Sequence, residues 1–161
     1  MIFADIVLSA TTVIHHPIHI VWPYLLEQSM WMKDYKLESV GGERNEEGEL
    51  KKVMHLEPGF EDFFFKTLLL VPFRKFAYKA YTENRQGPYG FTGVEVLSLN
   101  DHGRWSAVIF EAYLEIQSAS MTREQLAKFC SEAKQGSVET WGRNFEQLAS
   151  LIRSSVRSEA P

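Results

Sequence analysis

Between residues 122 and 155 the chain carries one apolar stripe in helical phase. Leu126, Phe129, Ala133, Ser137, Trp141, Phe145, Leu148 and Ile152 recur at steps of three and four. At 1.5 Å per residue such a helix is about 50 Å long, and almost everything before it reads as strands. A stripe of that length has to be covered along most of its course, and the partner wide enough to cover it is a curved sheet. The stripe is uneven. Gly136 and Ser137 interrupt its bulky residues near the middle, and two readings follow: missing side-chain volume leaves a space above the sheet, or the glycine lets helix and sheet pack closely.

The remaining elements follow in a clear order. Residues 3–14 are rich in Ile, Val and Thr with partial alternation, and Pro17 then opens a short helix carrying Ile18, Val21, Trp22, Leu25 and Leu26. A second helical turn is expected at 29–34. Strands are expected at 37–40, 49–56, 63–71, 75–82, 91–99 and 104–117, seven with the first. They are separated by Gly41-Gly42, the polar turn Asn45-Glu46-Glu47-Gly48, Pro58-Gly59, Val71-Pro72, a loop over 84–90, and Asn100-Asp101-His102-Gly103. Thr122 and Gln125 form a capping box for the final helix. The expectation is one domain over 1–156 with a short polar tail, frayed over 157–161, and no internal repeat.

Alternation assigns faces. In the last strand Val108, Phe110, Ala112, Leu114 and Ile116 share the side expected to meet the helix, while Trp105, Ile109, Glu111, Tyr113 and Glu115 share the other. Phe76, Tyr78 and Ala80 form the matching inner set on an earlier strand, opposite Lys75, Lys79 and Tyr81.

Charge and composition narrow the function classes. Seventeen basic against twenty-one acidic side chains give a formal net charge of −4, a field that repels phosphate backbones and argues against nucleic acid. A single cysteine, Cys130, excludes an internal disulfide and fits a reducing compartment. The first residues have neither the basic start nor the cleavage site of a signal peptide, and no apolar run reaches the length of a membrane span. A soluble cytoplasmic protein is expected.

The order strand, two short helices, antiparallel hairpins and long C-terminal helix resembles the helix-grip fold of the START and Bet v 1-like superfamily. His16-Pro17-Ile18-His19-Ile20-Val21-Trp22 is similar to that group's proline-then-Val-Trp helix opening, and Gly41-Gly42 followed by Glu47-Gly48-Glu49 to its glycine-punctuated strands. Trp141 with Asn144-Phe145-Glu146-Gln147-Leu148 resembles the last helix of the branch related to Hsp90-ATPase activators and polyketide cyclases. The resemblance implies an α+β domain: a seven-stranded curved antiparallel sheet wrapped on the C-terminal helix, with a cavity between them for lipids, polyketides or other apolar molecules. Fold alone does not assign an activity.

Candidate site residues follow from this container. Trp22, Trp31, Phe76, Tyr78, Phe110, Phe129, Ser137, Trp141 and Phe145 are the candidate ligand contacts, although aromatic residues at helical spacing serve equally as plain core. The run 60–73, rich in Phe and Leu, reads as a loop entering a buried strand, with a greasy portal rim as the other reading. His55 with Glu57 on one strand face is a possible acid/base pair, and Tyr78 a second proton donor. His15, His16 and His19 have a spacing compatible with a metal, but no acidic or cysteine ligand lies nearby in sequence and no metal is expected. Cys130 is expected to be inert. Phosphate loops, paired CxxC elements and a nucleophile elbow are absent, so no cofactor is expected.

Three functions from different classes fit these residues. The first is a noncatalytic binder or carrier of a small hydrophobic molecule. The second is an enzyme similar to the cyclases or hydrolases of this fold, with His55 or Tyr78 moving a proton. The third is a protein-interaction module using Lys75, Lys79, Tyr81, Trp105 and Tyr113, a face that also suits a homodimer.

Overall fold

The computed structural model describes residues 1–40, 50–56, 62–83 and 88–159. In chain order these form β1 (Ile2–Ile14), α1 (Ile18–Leu26), one 3-10 turn (Gln28–Met30), β2 (Tyr35–Ser39), β3 (Leu50–His55), β4 (Phe63–Val71), β5 (Lys75–Tyr81), β6 (Gly90–Asp101), β7 (Ser106–Ser118) and α2 (Arg123–Glu159). The strands make a single sheet in the order β1-β7-β6-β5-β4-β3-β2, antiparallel at every pairing. The fold is the α+β helix grip that the order of elements implies, with all seven strands present.

The long β1, β6 and β7 set the register. Phe110 pairs with Ala10 on one side and Leu97 on the other, which lines up the inward positions of three strands. Val108, Phe110, Ala112 and Ile116 are buried as alternation requires, while Tyr113 and Trp105 stand in solvent on the outer face. Phe76, Tyr78 and Ala80 are buried on β5. At the start of α2 the capping box is complete: the Thr122 N–H donates to Gln125 Oε1 at 2.8 Å and the Gln125 N–H to Thr122 Oγ1 at 3.2 Å.

Burial along α2 is discontinuous, and this shapes the molecule. Leu126 is buried, then no residue of the helix is until Trp141, after which Asn144, Phe145, Leu148 and Ile152 are. Two hydrophobic cores result. The larger gathers Trp31, Phe110, Trp141, Phe145, Leu148 and Ile152 with α1 and the middle of the sheet; the smaller joins Ile6, Ile116 and Leu126 near the start of α2. Between them the helix spans the sheet without sealing onto it.

Several expectations change. The second helical turn is the short 3-10 turn, β2 begins at Tyr35, and α2 stays helical through Glu159, past the point where a polar tail was expected. In the stretch read as a buried strand, Phe63 and Phe65 are buried, but Leu68, Leu69 and Leu70 are about half exposed. A register shift falls between Thr67 and Leu69, so strict alternation does not continue through this run. Gly41-Gly42, the 45–48 turn and Pro58-Gly59 lie outside the described residues. No helix among the described residues is long and apolar enough to cross a membrane.

Candidate functional site

The gap between the two cores is a cavity of about 430 Å³. Its roof is α2 from Phe129 and Ala133, which also pack against the smaller core, through Gly136, Ser137 and Thr140 to Trp141. Its floor is the inner sheet face: Ile6 and Leu8 of β1, Phe91 and Glu95 of β6, and Phe110, Leu114 and Ile116 of β7. Trp141 stacks on Phe110 with centroids 3.7 Å apart and planes at 18°, closing the end toward the larger core. Tyr89 packs on Phe129 at 4.3 Å. Asp34, Tyr35, His55 and Arg143 complete the wall on another side.

The structure decides between the two readings of Gly136. A Cβ built there meets nothing within 4 Å, so the glycine is not holding helix against sheet; the space beneath it is open. Gly136→Ala is therefore expected to stabilise the protein by about 0.5–1 kcal/mol through helix propensity alone, read as a small rise in the urea midpoint. A loss of stability would mean that the helix sits closer to the sheet than this geometry has it.

The polar side of the cavity centres on Glu95. Alternation along β6 puts it inward, between Phe91 and Leu97, with Tyr78 of β5 and Ala112 of β7 as its cross-strand partners. It is only 9% exposed. Burial pushes its carboxyl up to about 7, while the Tyr78 hydroxyl works in the other direction. That hydroxyl faces the Glu95 carboxyl and the Gln28 amide closely enough to respond to both, yet it completes a well-formed hydrogen bond with neither. Its own pKa is held well above the usual phenol value, by burial first and by the Glu95 charge second. Tyr35 is pushed up to about 12 by burial, then by Glu95 and Asp34, with Arg143 opposing. Arg143 and Asp34 pair with each other at 3.1 Å.

The expected site residues separate into three groups. Phe110, Phe129, Ser137 and Trp141 line the cavity, and so does His55. Its ring lies 4.7 Å from Tyr35, opposite it across the β2–β3 pair. Tyr78 sits behind the wall, touching the site through Glu95. Trp22, Trp31, Phe76 and Phe145 belong to the larger core instead of the cavity wall; Trp31, for example, is fully buried with its indole N–H donating to the Tyr24 carbonyl at 3.0 Å. Glu57, the proposed partner of His55, is outside the described residues. Among the described residues no group of three His, Cys, Asp or Glu side chains is placed to hold a metal, and burial raises the Cys130 thiol, which disfavours its thiolate. No described residue of the run 60–73 lines the cavity.

Glu95, Tyr35 and the Asp34–Arg143 pair were not foreseen as site residues. For Glu95 a signal exists: the alternation Phe91, Gly93, Glu95, Leu97, Leu99 places a carboxylate on an apolar face.

No family model matches the sequence, and no curated protein is detectably similar. Solved structures are similar over nearly the whole chain. A Streptomyces aromatase/cyclase superposes with a TM-score of 0.72 at 11% identity, covering 95% of this chain and 96% of its own. Truncated norcoclaurine synthase from Thalictrum flavum gives 0.63 at 10%, covering 94% and 96%. Ara h 8.0201 gives 0.61 at 12%, covering 94% and 99%. At these identities the likeness concerns the fold alone, a helix grip.

Proposed function

We propose that this helix-grip domain binds or carries a small, mostly apolar molecule, such as a lipid, a polyketide or an aromatic metabolite, in the cavity between α2 and the sheet, and does so in the cytoplasm. One observation carries the reading: the helix lifts from the sheet between two separate cores, over a space of about 430 Å³ walled by apolar side chains and a few polar groups. That size and lining match the pockets that hold small ligands. Burial of apolar ligand surface supplies affinity at about 25 cal/mol per Å² before the costs of ordering.

Ser137→Phe tests the site, because its ring would project into the cavity from the roof. The expected result is a folded protein whose binding of the neutral fluorophore N-phenyl-1-naphthylamine is weakened by at least about tenfold. Unchanged binding would place the probe elsewhere.

A second reading rests on Glu95. A buried carboxyl titrating at about 7 is matched to general acid or base work near neutrality, and the solved structures of this fold include an aromatase/cyclase and a synthase. A cyclase- or hydrolase-like enzyme would use Glu95, with Tyr78 behind it, to move a proton on a substrate held in the same cavity.

A further inference from the structure

We propose that the cavity selects ligands in which a flat apolar body carries a basic nitrogen, the nitrogen docking on the Glu95 carboxylate. The inference rests on the cavity being a ligand site and adds the class of ligand.

Charge complementarity selects such a ligand. The groups facing Glu95 are Tyr78 and Ala112 on the adjacent strands, Tyr35 from β2, and, across the cavity wall, His55 from β3, Asp34, Tyr89, and Arg143 from α2. The Asp34 and Arg143 charges are spent on each other at 3.1 Å. Among the described residues no Lys, Arg or His forms an ion pair with Glu95, and no cation acts on its titration. Among the described residues, then, the cavity wall holds one carboxylate, Glu95, without a counterion, and in so buried a setting the ionised form is costly unless a partner arrives with the opposite charge.

Each ligand class meets that carboxylate differently. A fatty or aromatic acid would bring a second negative charge against it. A neutral hydrocarbon would leave it without a donor. An ammonium supplies both the charge and N–H donors, and it takes the place of the proton that burial otherwise holds on Glu95. Phe110, Trp141, Leu8 and Leu114 then cover the apolar body.

The test compares three probes that share one ring system: 2-naphthylmethylamine, 2-naphthylmethanol and 2-naphthoate, followed by fluorescence titration at pH 8 and pH 5.5. At pH 8 the amine is expected to bind about tenfold or more tightly than the alcohol, and the carboxylate most weakly. At pH 5.5 the proton competes for Glu95, and the amine should lose about tenfold of its affinity. Glu95→Gln should erase both the amine's advantage and its pH dependence, which separates Glu95 from His55. The wild-type comparison stands even where the variant folds poorly. Equal binding of amine and alcohol at pH 8 would overturn the inference and leave the cavity as a site; a preference that survives in Glu95→Gln would overturn the assignment to Glu95. Failure of all three probes to bind would overturn this inference and the ligand-binding reading together.

Discussion

Glu95→Gln is expected to stabilise the protein at pH 8 by about 3 kcal/mol relative to its effect at pH 4. The carboxyl titrates at about 7 in the folded chain against an ordinary value of 4.5. Between those two values the folded state holds a proton that the unfolded state has released, so the native protein loses stability as pH rises through this window. Below about 4.5 both states are protonated and the loss is absent; above about 7 it is complete. Glutamine keeps the shape and never ionises, so it removes the loss. In thermal melts the gain corresponds to roughly 5–10 °C at pH 8 for a chain of this size. Urea unfolding of both proteins across the window checks the sign. A difference between them that stays flat from pH 4 to pH 8 would mean that Glu95 is not confined to a dry wall.

Gly93→Ala is expected to destabilise the protein by about 3 kcal/mol or more, at the upper end of what overpacking costs. Gly93 pairs with Leu114 across β6 and β7, and a Cβ there would overlap the Tyr113 carbonyl oxygen and come within 2.8 Å of Leu114 Cα. Those atoms are backbone in the middle of the sheet, so no side chain can turn aside to make room. The requirement is space, since the backbone of Gly93 does not lie in the left-handed region. Gly136 makes the contrast: Gly93 sits where strands β6 and β7 crowd, Gly136 in the roof of the cavity where nothing does. A loss below about 1 kcal/mol for Gly93→Ala in urea titration would show that β6 and β7 part more readily than this register implies.

The container was legible in the sequence for a physical reason. A helical stripe and alternating strands encode which face of each element is buried, and that information is local. It identified the inner face of β7 and the capping box, and it left a gap around Gly136 and Ser137 as one of two readings. The contents were harder to read. Aromatic side chains are chemically suited to a packed core and to a cavity wall alike, so Trp31 and Phe145 could not be told apart from Phe110 and Phe129 without knowing where the helix leaves the sheet. The Asp34–Arg143 pair joins residues 109 positions apart, and nothing local announces it. Glu95 was overlooked although its alternation was visible. Carboxylates on strands usually face water, as Glu115 does on β7, and one inward position is a weak signal until the neighbouring strands show that no cation awaits it. Neither the exposure of Leu68 to Leu70 nor the register shift beside them leaves a trace in composition.

The most direct test of a ligand site under α2 is a titration of isotope-labelled protein with neutral 2-naphthylmethanol, following backbone amides and tryptophan indoles by NMR. Saturable one-to-one shifts are expected at Leu8, Phe110, Gly136, Ser137 and Trp141, on both walls of the cavity. Shifts confined to the outer face at Trp105 and Tyr113, or no saturable response at all, would contradict such a site.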